Sequence, residues 1–288
     1  MSDKASSHDR SKKPVWLVTG CSTGFGRALA ELLIGRGYRV VVTARNPAQI
    51  VDLAVRDETL VLKLDVTNQA EVDLAIRAAE EKFGRIDVLV NNAGIGYFAA
   101  IEEGDEGQIR ALFDVNVFGL CRMIRAVLPG MRNRGSGSIV NLSSVGGLRS
   151  FPSLGYYSAT KFAVEGLSEA LWQEVEPLGL KVMVVEPSGF RTDWAGRSAE
   201  VSEQQISAYA KTAGAARAQI RASSGHQPGD PVRAVEALVK AIESPHPPHH
   251  LLLGKDAYAG ATATLEELRS DFSSWESVAK GADFPSAV

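Results

Sequence analysis

The amino-acid sequence predicts an α/β fold built on a doubly wound parallel sheet of about seven strands, with helices on both faces. Short β-branched runs alternate with helix-length segments of apolar periodicity between residues 15 and 253. At this spacing, the strands pair in parallel through right-handed crossovers. A glycine-rich turn joins the first run to the first helical segment, which is the arrangement of a Rossmann-type fold.

A single domain is expected over residues 15–262. The chain has 288 residues, 45% of them apolar, which is enough for a large core, and no change of composition interrupts the alternation. Residues 1–14 are polar and charged, and we expect a disordered arm there. Residues 263–288 form a C-terminal extension that follows the last strand as a polar tail.

Charge and composition exclude several classes of partner. The net charge is −3, the pI is near 6.0 and the 31 Lys and Arg residues are dispersed, so we expect neither a nucleic-acid nor a membrane partner. The chain has no apolar leader and no apolar stretch of ~20 residues, which predicts a cytoplasmic protein. The two cysteines, Cys21 and Cys121, form neither a disulfide framework nor a zinc pattern.

The first half of the chain contains four predicted strands and two predicted helices. Apolar and β-branched runs predict strands at residues 15–18, 38–43, 59–64 and 86–90. Apolar periodicity predicts helices at 27–36 and 69–83, and Gly37 ends the first of them. The strand at 86–90 runs directly into Asn91-Asn92-Ala93-Gly94.

The second half continues the alternation. We predict a long helical region at 106–132, a strand at 138–142, a helix at 157–176 and a strand at 181–185. A last helix at 231–243 precedes a short strand at 251–253. Residues 193–229 leave the alternation just after a strand end, where such sheets place their lids and specificity loops, so we predict a substrate lid there.

The turn after the first strand reads T-G-C-S-T-G-F-G from Thr19 to Gly26. A strand, a glycine turn and a helix in this order can direct backbone N–H groups and the positive helix end at a pyrophosphate. Glycines also allow a close backbone approach. The alternative is that a sharp turn needs glycine for steric reasons alone. We predict a dinucleotide site.

Arg45 follows the second strand, where NAD-selective sites usually carry Asp or Glu for the ribose 2′-hydroxyl. An arginine instead accommodates a 2′-phosphate by charge and bidentate geometry. The sequence therefore favours NADP(H) over NAD(H). A solvated surface arginine is the alternative interpretation.

Tyr157 and Lys161 lie four residues apart at the start of a predicted helix, so both face the same side. A neighbouring cation favours the phenolate and is expected to lower the tyrosine pKa toward neutrality. The pair follows Ser143-Ser144 at the end of the fifth strand. An ordinary surface contact is the alternative. Tyr156 does not qualify, because Thr160 stands four residues after it.

These motifs together resemble the short-chain dehydrogenase/reductase family. The turn from Thr19 to Gly26 matches the family pattern T-G-x-x-x-G-x-G, Asn91 to Gly94 match N-N-A-G, and Tyr157 with Lys161 match Y-x-x-x-K. Four ordered motifs, with the serine before the tyrosine, are far more specific than any one of them. The resemblance covers residues 15–192 and continues more weakly to residue 253.

The resemblance implies roles for individual residues. It makes Tyr157 the general acid/base, Ser144 a donor to the substrate oxygen, Lys161 the cation beside the tyrosine, and Asn116 the helix residue that holds a water for proton relay. Motifs and resemblance together predict the cofactor-binding residues Gly20, Ser22, Thr23, Gly24, Phe25, Gly26, Arg45, Asp65, Val66, Asn92, Ala93, Gly94, Tyr157, Lys161, Pro187, Gly189 and Thr192.

One departure from the family lies after the sixth strand. The family usually shows P-G-x-x-x-T there, and this chain has Pro187-Ser188-Gly189 with Thr192 at the expected spacing. The serine at the glycine position puts the local backbone path in doubt.

The predicted function is an NADP(H)-dependent oxidoreductase that transfers a hydride between nicotinamide and a carbonyl or secondary alcohol. The sequence is similar to the steroid- and retinol-dehydrogenase-like branch, which implies an apolar substrate, and the family implies a homo-dimer or homo-tetramer. The aromatic residues that either line a pocket or belong to the core are Tyr97, Phe98, Phe151, Phe190 and Trp194.

Three other functions remain as alternatives. An NADP-binding redox sensor without turnover would need a broken catalytic set. A serine hydrolase is disfavoured because there is no G-x-S-x-G elbow. A metal site at His246-Pro247-Pro248-His249-His250 is disfavoured because prolines prevent a helical histidine pair and no carboxylate lies close in sequence. We therefore predict no metal.

Overall fold

The computed structural model describes residues 13–196 and 198–284. Its strands are β1 (Val15–Val18), β2 (Arg39–Ala44), β3 (Thr59–Lys63), β4 (Val88–Asn91), β5 (Gly96–Phe98), β6 (Gly137–Leu142), β7 (Leu180–Pro187), β8 (Ala199–Val201) and β9 (His250–Leu253). Seven of these form one parallel sheet in the order β3-β2-β1-β4-β6-β7-β9. The order reverses beside β1, and the predicted doubly wound fold is confirmed.

The helices cover both faces of this sheet. They are α1 (Gly24–Gly35), α2 (Gln69–Phe83), α3 (Glu106–Phe113), α4 (Leu120–Arg134), α5 (Gly155–Val175), α6 (Ala215–Ala222), α7 (Pro231–Ile242), α8 (Lys255–Ser274) and α9 (Glu276–Lys280). Side chains alternate along β1, so Trp16 and Val18 pack with α1 and α7, whereas Val15 and Leu17 pack with α2, α4 and α5. The sheet is therefore buried on both sides.

The long helical region predicted at 106–132 is interrupted. A π-helical segment, Asp114–Gly119, joins α3 to α4. Such segments are rare and occur mostly as single turns at functional sites. This one places Asn116 inside the fold.

The expectation that the helix at 231–243 is the last was wrong, because two further helices follow it. α8 runs to Ser274 and α9 follows after one turn residue, Trp275. Apolar side chains recur at helical spacing in this region, and that periodicity was missed because the intervening residues are polar and charged.

The N-terminal arm is described only at its end. Residues 1–12 of the arm predicted at 1–14 lie outside the described residues. Lys13 already contacts the domain: its Nζ donates to the Arg36 carbonyl and its own carbonyl accepts from Arg39 Nε. The described end of the predicted arm thus packs beside the end of α1 and the start of β2.

The segment predicted as a lid packs against the loop after β5. β8 pairs with β5 in a separate two-stranded parallel sheet. Glu103, which is 2% exposed, accepts from the Ile206 amide at 2.8 Å and from Arg217 Nη1 on α6 at 3.0 Å. Burial pushes the Glu103 pKa upward, but these donors and the Ala100 amide hold it below its usual value. This buried ion pair anchors the segment.

Candidate active site

At several positions of the turn after β1, the backbone conformation or the close packing requires glycine. Gly20 and Gly24 have φ of +71° and +60°. A Cβ on Gly26 would overlap both the Gly20 carbonyl oxygen and Asn92 Nδ2. The turn is therefore folded back tightly on itself and on the residues after β4.

Asn92 and Thr19 hold this turn from the side of β4. Asn92 Nδ2 donates to the carbonyls of Thr19 at 2.8 Å and Gly20 at 3.0 Å. Thr19 Oγ1 accepts from the amides of Asn92 and Ala93, both at 3.0 Å. The N-N-A-G motif thus supports the turn, and the Asn92 side-chain amide is committed to that role.

The start of α1 fits a pyrophosphate. Thr23 is the N-cap, and its side chain makes no capping hydrogen bond within the described part of the chain. The first-turn amides and the positive helix end are what an anion needs. A Cβ on Gly24 would lie 3.4 Å from Thr192 Cβ, so the residues after β7 close over the same turn. Ser22 belongs to this turn, and Phe25 packs on Phe190 with ring centroids 5.1 Å apart.

Arg45 and Asp65 follow neighbouring strands at the carboxyl edge of the sheet. β2 and β3 pair with Ala44 beside Lys63, so the residues that follow lie side by side. Arg45 is exposed at this edge. Asp65 Oδ1 accepts from the amide of Thr67 at 2.9 Å, and Val66 is buried against Gly119.

Tyr157, Lys161 and Gly94 meet at the centre of this edge. Tyr157 and Lys161 are 7% and 6% exposed on one side of α5. Lys161 Nζ donates to the Leu142 carbonyl at 2.7 Å and lies 5.6 Å from the tyrosine ring centre. A Cβ on Gly94 would lie 3.9 Å from Lys161 Nζ and 3.3 Å from Asn116 Oδ1. The predicted catalytic residues are thus brought together.

The pKa of Tyr157 differs from the expectation that the lysine lowers it. Burial raises the tyrosine pKa, and only its hydrogen bond with Ser144 opposes the rise. Burial also lowers the Lys161 pKa to about 8, against the attraction of Glu165. A lysine with this pKa is still mostly protonated at neutral pH, and it is the burial of Tyr157 that keeps the phenol protonated.

Asn116 is fixed inside the π-helical segment. Its Oδ1 accepts from the Ile95 amide at 2.9 Å, and its Nδ2 donates to the Ile95 carbonyl at 3.0 Å and to Thr160 Oγ1 at 3.1 Å. Thr160 lies between Tyr157 and Lys161 on α5. The asparagine therefore ties the loop after β4 to the helix that carries the tyrosine.

Ser144 and Trp194 flank the tyrosine from two further segments. Ser144 Oγ accepts from the Gly146 amide at 3.0 Å and donates weakly to the Pro187 carbonyl at 3.5 Å. The Trp194 ring lies 4.8 Å from the Tyr157 ring, centre to centre. The Ser144 hydroxyl is thus a neighbour of the tyrosine hydroxyl, and the Trp194 indole packs on the tyrosine ring.

Comparison with known proteins places the chain in a family. The family model described as short chain dehydrogenase matches residues 14–203. Oxidoreductase BOA17 of Botryotinia fuckeliana is 38% identical over 264 residues, covering 91% of this chain and 96% of that protein. The chain belongs to the short-chain dehydrogenase family.

One other similar protein has a more specific name, and another has a solved structure. The 3-ketodihydrosphingosine reductase of Bacteroides thetaiotaomicron is 43% identical over 176 residues, 61% of this chain and 64% of that protein. A crystal structure of a short-chain dehydrogenase from Streptomyces avermitilis has a TM-score of 0.88 and 44% identity, covering 95% of this chain and all of that chain.

Two similar solved structures contain a nicotinamide nucleotide. A 3-ketoacyl-(acyl-carrier-protein) reductase from Brucella melitensis, complexed with NADH, is 29% identical with a TM-score of 0.69, covering 84% of this chain and 96% of that chain. A short chain dehydrogenase from Burkholderia cenocepacia, complexed with NADP, is 25% identical with a TM-score of 0.72, covering 91% of this chain and 97% of that chain. This short-chain dehydrogenase is an oxidoreductase that acts on CH–OH or carbonyl groups with NAD(P).

The departure at Ser188 is accommodated by a second glycine. The Ser188 amide donates to the Leu253 carbonyl at 3.0 Å, which continues the pairing of β7 with β9. A Cβ on Gly254, whose φ is +96°, would overlap Ser188 Oγ. Gly189 does not adopt a positive φ. The backbone after Pro187 therefore follows a regular path, because Gly254 leaves room for the serine.

The aromatic residues proposed for a pocket divide into two groups. Tyr97 and Phe98 are 2% and 0% exposed and belong to an apolar cluster under the site, so they are core residues. Phe190 packs on Phe25, and Phe151 lies on the surface beside Arg149. The Trp194 ring packs directly on the ring of the predicted catalytic tyrosine.

Sequence reasoning missed a group of ionisable residues behind Lys161. Glu165, Glu186 and His250 have ligand atoms within 4.8 Å of one another, and His250 Nδ1 lies 2.6 Å from Glu186 Oε1. Burial raises the Glu165 pKa to about 7 and the Glu186 pKa to about 8. A metal at the histidine-rich loop was disfavoured because no carboxylate lies near it in sequence, yet two lie near it in space.

Proposed function

We propose that this short-chain dehydrogenase transfers a hydride between NADP(H) and an apolar carbonyl or secondary-alcohol substrate, with Tyr157 as general acid/base. The observation that carries the proposal is the convergence of Tyr157, Ser144, Lys161 and Asn116 at the carboxyl edge of the sheet, beside a glycine turn that fits a pyrophosphate. The nicotinamide supplies or accepts the hydride.

Tyr157 and Ser144 act on the substrate oxygen. Both hydroxyls can donate hydrogen bonds to a carbonyl oxygen, which favours the negative charge that develops there during reduction. Because burial keeps the phenol protonated, Tyr157 is prepared to donate its proton to that oxygen. Oxidation of an alcohol is the reverse of this step.

Lys161 and Asn116 serve the tyrosine. Lys161 Nζ, with a pKa of about 8, can hold or release a proton close to neutral pH. Asn116 positions α5 through its hydrogen bond to Thr160, and its bonds to Ile95 connect the loop after β4 to the same helix. We assign Lys161 to proton supply and Asn116 to positioning.

The preference for NADP(H) is proposed from Arg45. It is exposed at the end of β2, where an acidic residue would select NAD(H). Asp65, Val66, Gly94, Pro187, Gly189 and Thr192 lie on the same edge, and we propose that they complete the cofactor site.

A matched titration tests the cofactor assignment. NADPH and NADH are titrated by nucleotide fluorescence on wild type, Arg45→Ala and, as a control, Arg77→Ala, an exposed arginine on α2. A charged phosphate contact worth ~1.5–3 kcal/mol predicts a preference of about tenfold or more for NADPH, lost only in Arg45→Ala. Equal binding of both nucleotides by wild type would contradict it.

An apolar substrate is proposed from the surroundings of Tyr157. Trp194 packs on the tyrosine and on Phe98, so the wall beside the reacting oxygen is aromatic. The relative from Bacteroides thetaiotaomicron is named for a long-chain ketone substrate, which is the same class. A panel of ketones of increasing chain length tests this: kcat/KM should rise with length in wild type and rise less in Trp194→Ala.

We further propose that residues 193–229 act as the substrate lid and that the enzyme is a cytoplasmic homo-oligomer. Two observations support the lid proposal: Trp194 touches the site, and the Glu103–Arg217 ion pair anchors the segment.

The proposed homo-oligomer is supported by Phe162 and Leu167, two apolar side chains exposed on α5 that an interface would cover. Among the described helices none could span a membrane.

A further inference from the structure

Two glutamates and a histidine from three different elements meet behind the predicted active site. Glu165 lies on α5, Glu186 lies near the end of β7 and His250 begins β9. Their ligand atoms all lie within 4.8 Å of one another. His250 Nδ1 is 2.6 Å from Glu186 Oε1 and 3.9 Å from Glu165 Oε2. These three residues are here called the carboxylate–histidine group.

The fold brings this group together because one face of β7 and β9 is turned toward α5. Leu180 and Val182 of β7 pack in the core on the α5 side of the sheet. Side chains alternate along a strand, so Glu186 points to the same side. β7 pairs with β9 so that His250 lies beside Val184, which places the histidine on that side as well.

The carboxylate oxygens of this group lack hydrogen bonds. Glu186 is fully buried, and its Oε2 has no hydrogen-bond partner among the described residues. The Glu165 side chain is 12% exposed, and the same holds for both of its oxygens. The Leu251 amide and the Ser143 hydroxyl lower the pKa values of Glu186 and Glu165, but neither forms a hydrogen bond of ordinary geometry with these oxygens. Buried polar atoms are nearly always paired, so these oxygens indicate a partner outside the polypeptide.

Charge points to a cation as that partner. Two buried carboxylates repel each other and cost free energy unless protons or cations neutralise them. Lys161 acts on Glu165 by charge less strongly than His250 does, and His250 is a single, half-exposed histidine. One divalent cation would neutralise both carboxylates. In metal-free protein, protons neutralise them instead, since burial raises the pKa values of Glu165 and Glu186 to about 7 and about 8.

We propose that Glu165, Glu186 and His250 bind one Zn²⁺ ion. An imidazole nitrogen and two carboxylate oxygens are donors that zinc accepts, and three protein ligands leave the fourth tetrahedral position to a water. Mg²⁺ and Ca²⁺ are disfavoured, because they prefer larger sets of oxygen ligands. The sequence-based expectation of no metal rested on the lack of carboxylates near the histidines in sequence, and the fold supplies them from α5 and β7.

The group can hold the ion after small side-chain movements. Zinc bonds of about 2.0–2.2 Å set ligand atoms about 3.3–3.6 Å apart in a tetrahedron. The contact between His250 and Glu186 therefore widens from 2.6 Å, and Glu165 approaches from 3.9 Å by rotation of its side chain. Trp172 packs edge-on against the His250 ring, with centroids 5.4 Å apart, and holds the imidazole in place. The exposed side of that ring gives the ion access from solvent.

Calorimetric titration of the full-length protein with Zn²⁺, after treatment with a chelator, tests the site. We expect one ion per chain, and Glu186→Gln and His250→Ala should each weaken binding by more than about 100-fold, since even loss of an outer partner of a metal ligand costs 10–100-fold. The His250 side chain is half exposed, so its variant tests the site even if Glu186→Gln fails to fold.

His249→Ala is the matched control for this titration. The His249 ring stacks on the same Trp172, with centroids 4.3 Å apart, but its Nε2 faces the half-exposed Glu176 at 3.3 Å. This variant should bind Zn²⁺ as wild type does. An equal loss of binding in His249→Ala would assign the ion to the exposed histidines, and no binding by wild type would leave protons as the only neutralising partner. Either result would overturn the proposal.

Two further readouts separate ligands from residues that only support the fold. Co²⁺ in place of Zn²⁺ should give the strong visible absorption of four-coordinate cobalt in wild type but not in His250→Ala. Zn²⁺ should raise the unfolding temperature of wild type, because it binds the folded state, but not that of Glu186→Gln. A six-coordinate cobalt spectrum, or equal stabilisation of wild type and Glu186→Gln by Zn²⁺, would contradict the proposed ligands.

Discussion

At the scale of single residues, the tightest constraint is Gly26. Its missing Cβ lets the Gly20 carbonyl and Asn92 Nδ2 approach α1, and these two groups are themselves joined by a hydrogen bond of 3.0 Å. Any side chain here must displace backbone rather than a flexible side-chain end. The glycine is thus required for the shape of the turn as well as for access to a phosphate.

Gly26→Ala should therefore destabilise the protein and abolish nucleotide binding. Overpacking of this kind costs about 1–3 kcal/mol, which is seen as a lower midpoint in denaturant unfolding. Gly35→Ala, on the same helix with open space at its Cβ position, is the control and should be neutral or slightly stabilising. Equal behaviour of the two variants would show that the turn is not close-packed.

Glu186 sets a second constraint, on the pH dependence of stability. Glu186 is fully buried, its Oε1 lies 2.6 Å from His250 Nδ1, and Glu165 is its neighbour. Ser143 and the charge of Lys161 lower the pKa of Glu165, against the larger effect of burial. Burial raises the pKa values of Glu186 and Glu165 above 4.5, the usual value for glutamate, so the folded state binds protons that the unfolded state has released.

We expect the free energy of unfolding to fall as the pH rises from about 5 to about 8. The stabilisation is complete below the unfolded-state pKa and is lost as the pH passes the raised values of about 7 and about 8. Glu186→Gln should flatten this slope in urea unfolding measured at several pH values. Glu174→Gln, exposed on α5, is the control, and an unchanged slope in Glu186→Gln would contradict the assignment.

At the scale of elements, the segment 193–229 depends on one buried ion pair. Glu103 joins three parts of the chain: its own turn through the Ala100 amide, the Ile206 amide, and Arg217 on α6. Removing one partner of a buried pair leaves an uncompensated charge. The segment that carries Trp194 would then lose its anchor.

Arg217→Met should destabilise the protein by about 3–5 kcal/mol and speed hydrogen exchange in β8 and α6. The exchange of the central sheet should change less, because the sheet does not depend on this contact. Glu106→Gln removes an exposed ion pair with Arg110 and serves as the control. Uniform exchange changes across the whole chain would count against a separate anchor for this segment.

At the scale of the whole molecule, local patterns predicted the sheet and the turn well. Strand runs such as 15–18 and the glycine turn are encoded by neighbouring residues, so periodicity and spacing suffice. Tyr157 and Lys161 were also predictable, since both lie on one helical turn. The pattern of β-branched runs and helical segments is thus sufficient to predict the order of strands and helices in the sheet.

Contacts between distant segments were not predictable in the same way. Glu186 and His250 meet because β7 pairs with β9, 64 residues apart, and Glu103 meets Arg217 across 114 residues. The pKa of Tyr157 was expected to fall because only the nearby lysine was visible, whereas burial by the whole fold dominates. Such effects need the three-dimensional packing.

The most direct measurement of the proposed chemistry is steady-state reduction of an apolar ketone with NADPH by wild type and Tyr157→Phe. Loss of the phenol hydroxyl should lower kcat by about 10²–10⁴-fold, with the NADPH dissociation constant unchanged. Tyr156→Phe is the matched control, because that hydroxyl only donates to the Ile101 carbonyl. Equal turnover by wild type and Tyr157→Phe would contradict the role of Tyr157, and nucleotide binding without turnover in wild type would favour a redox sensor.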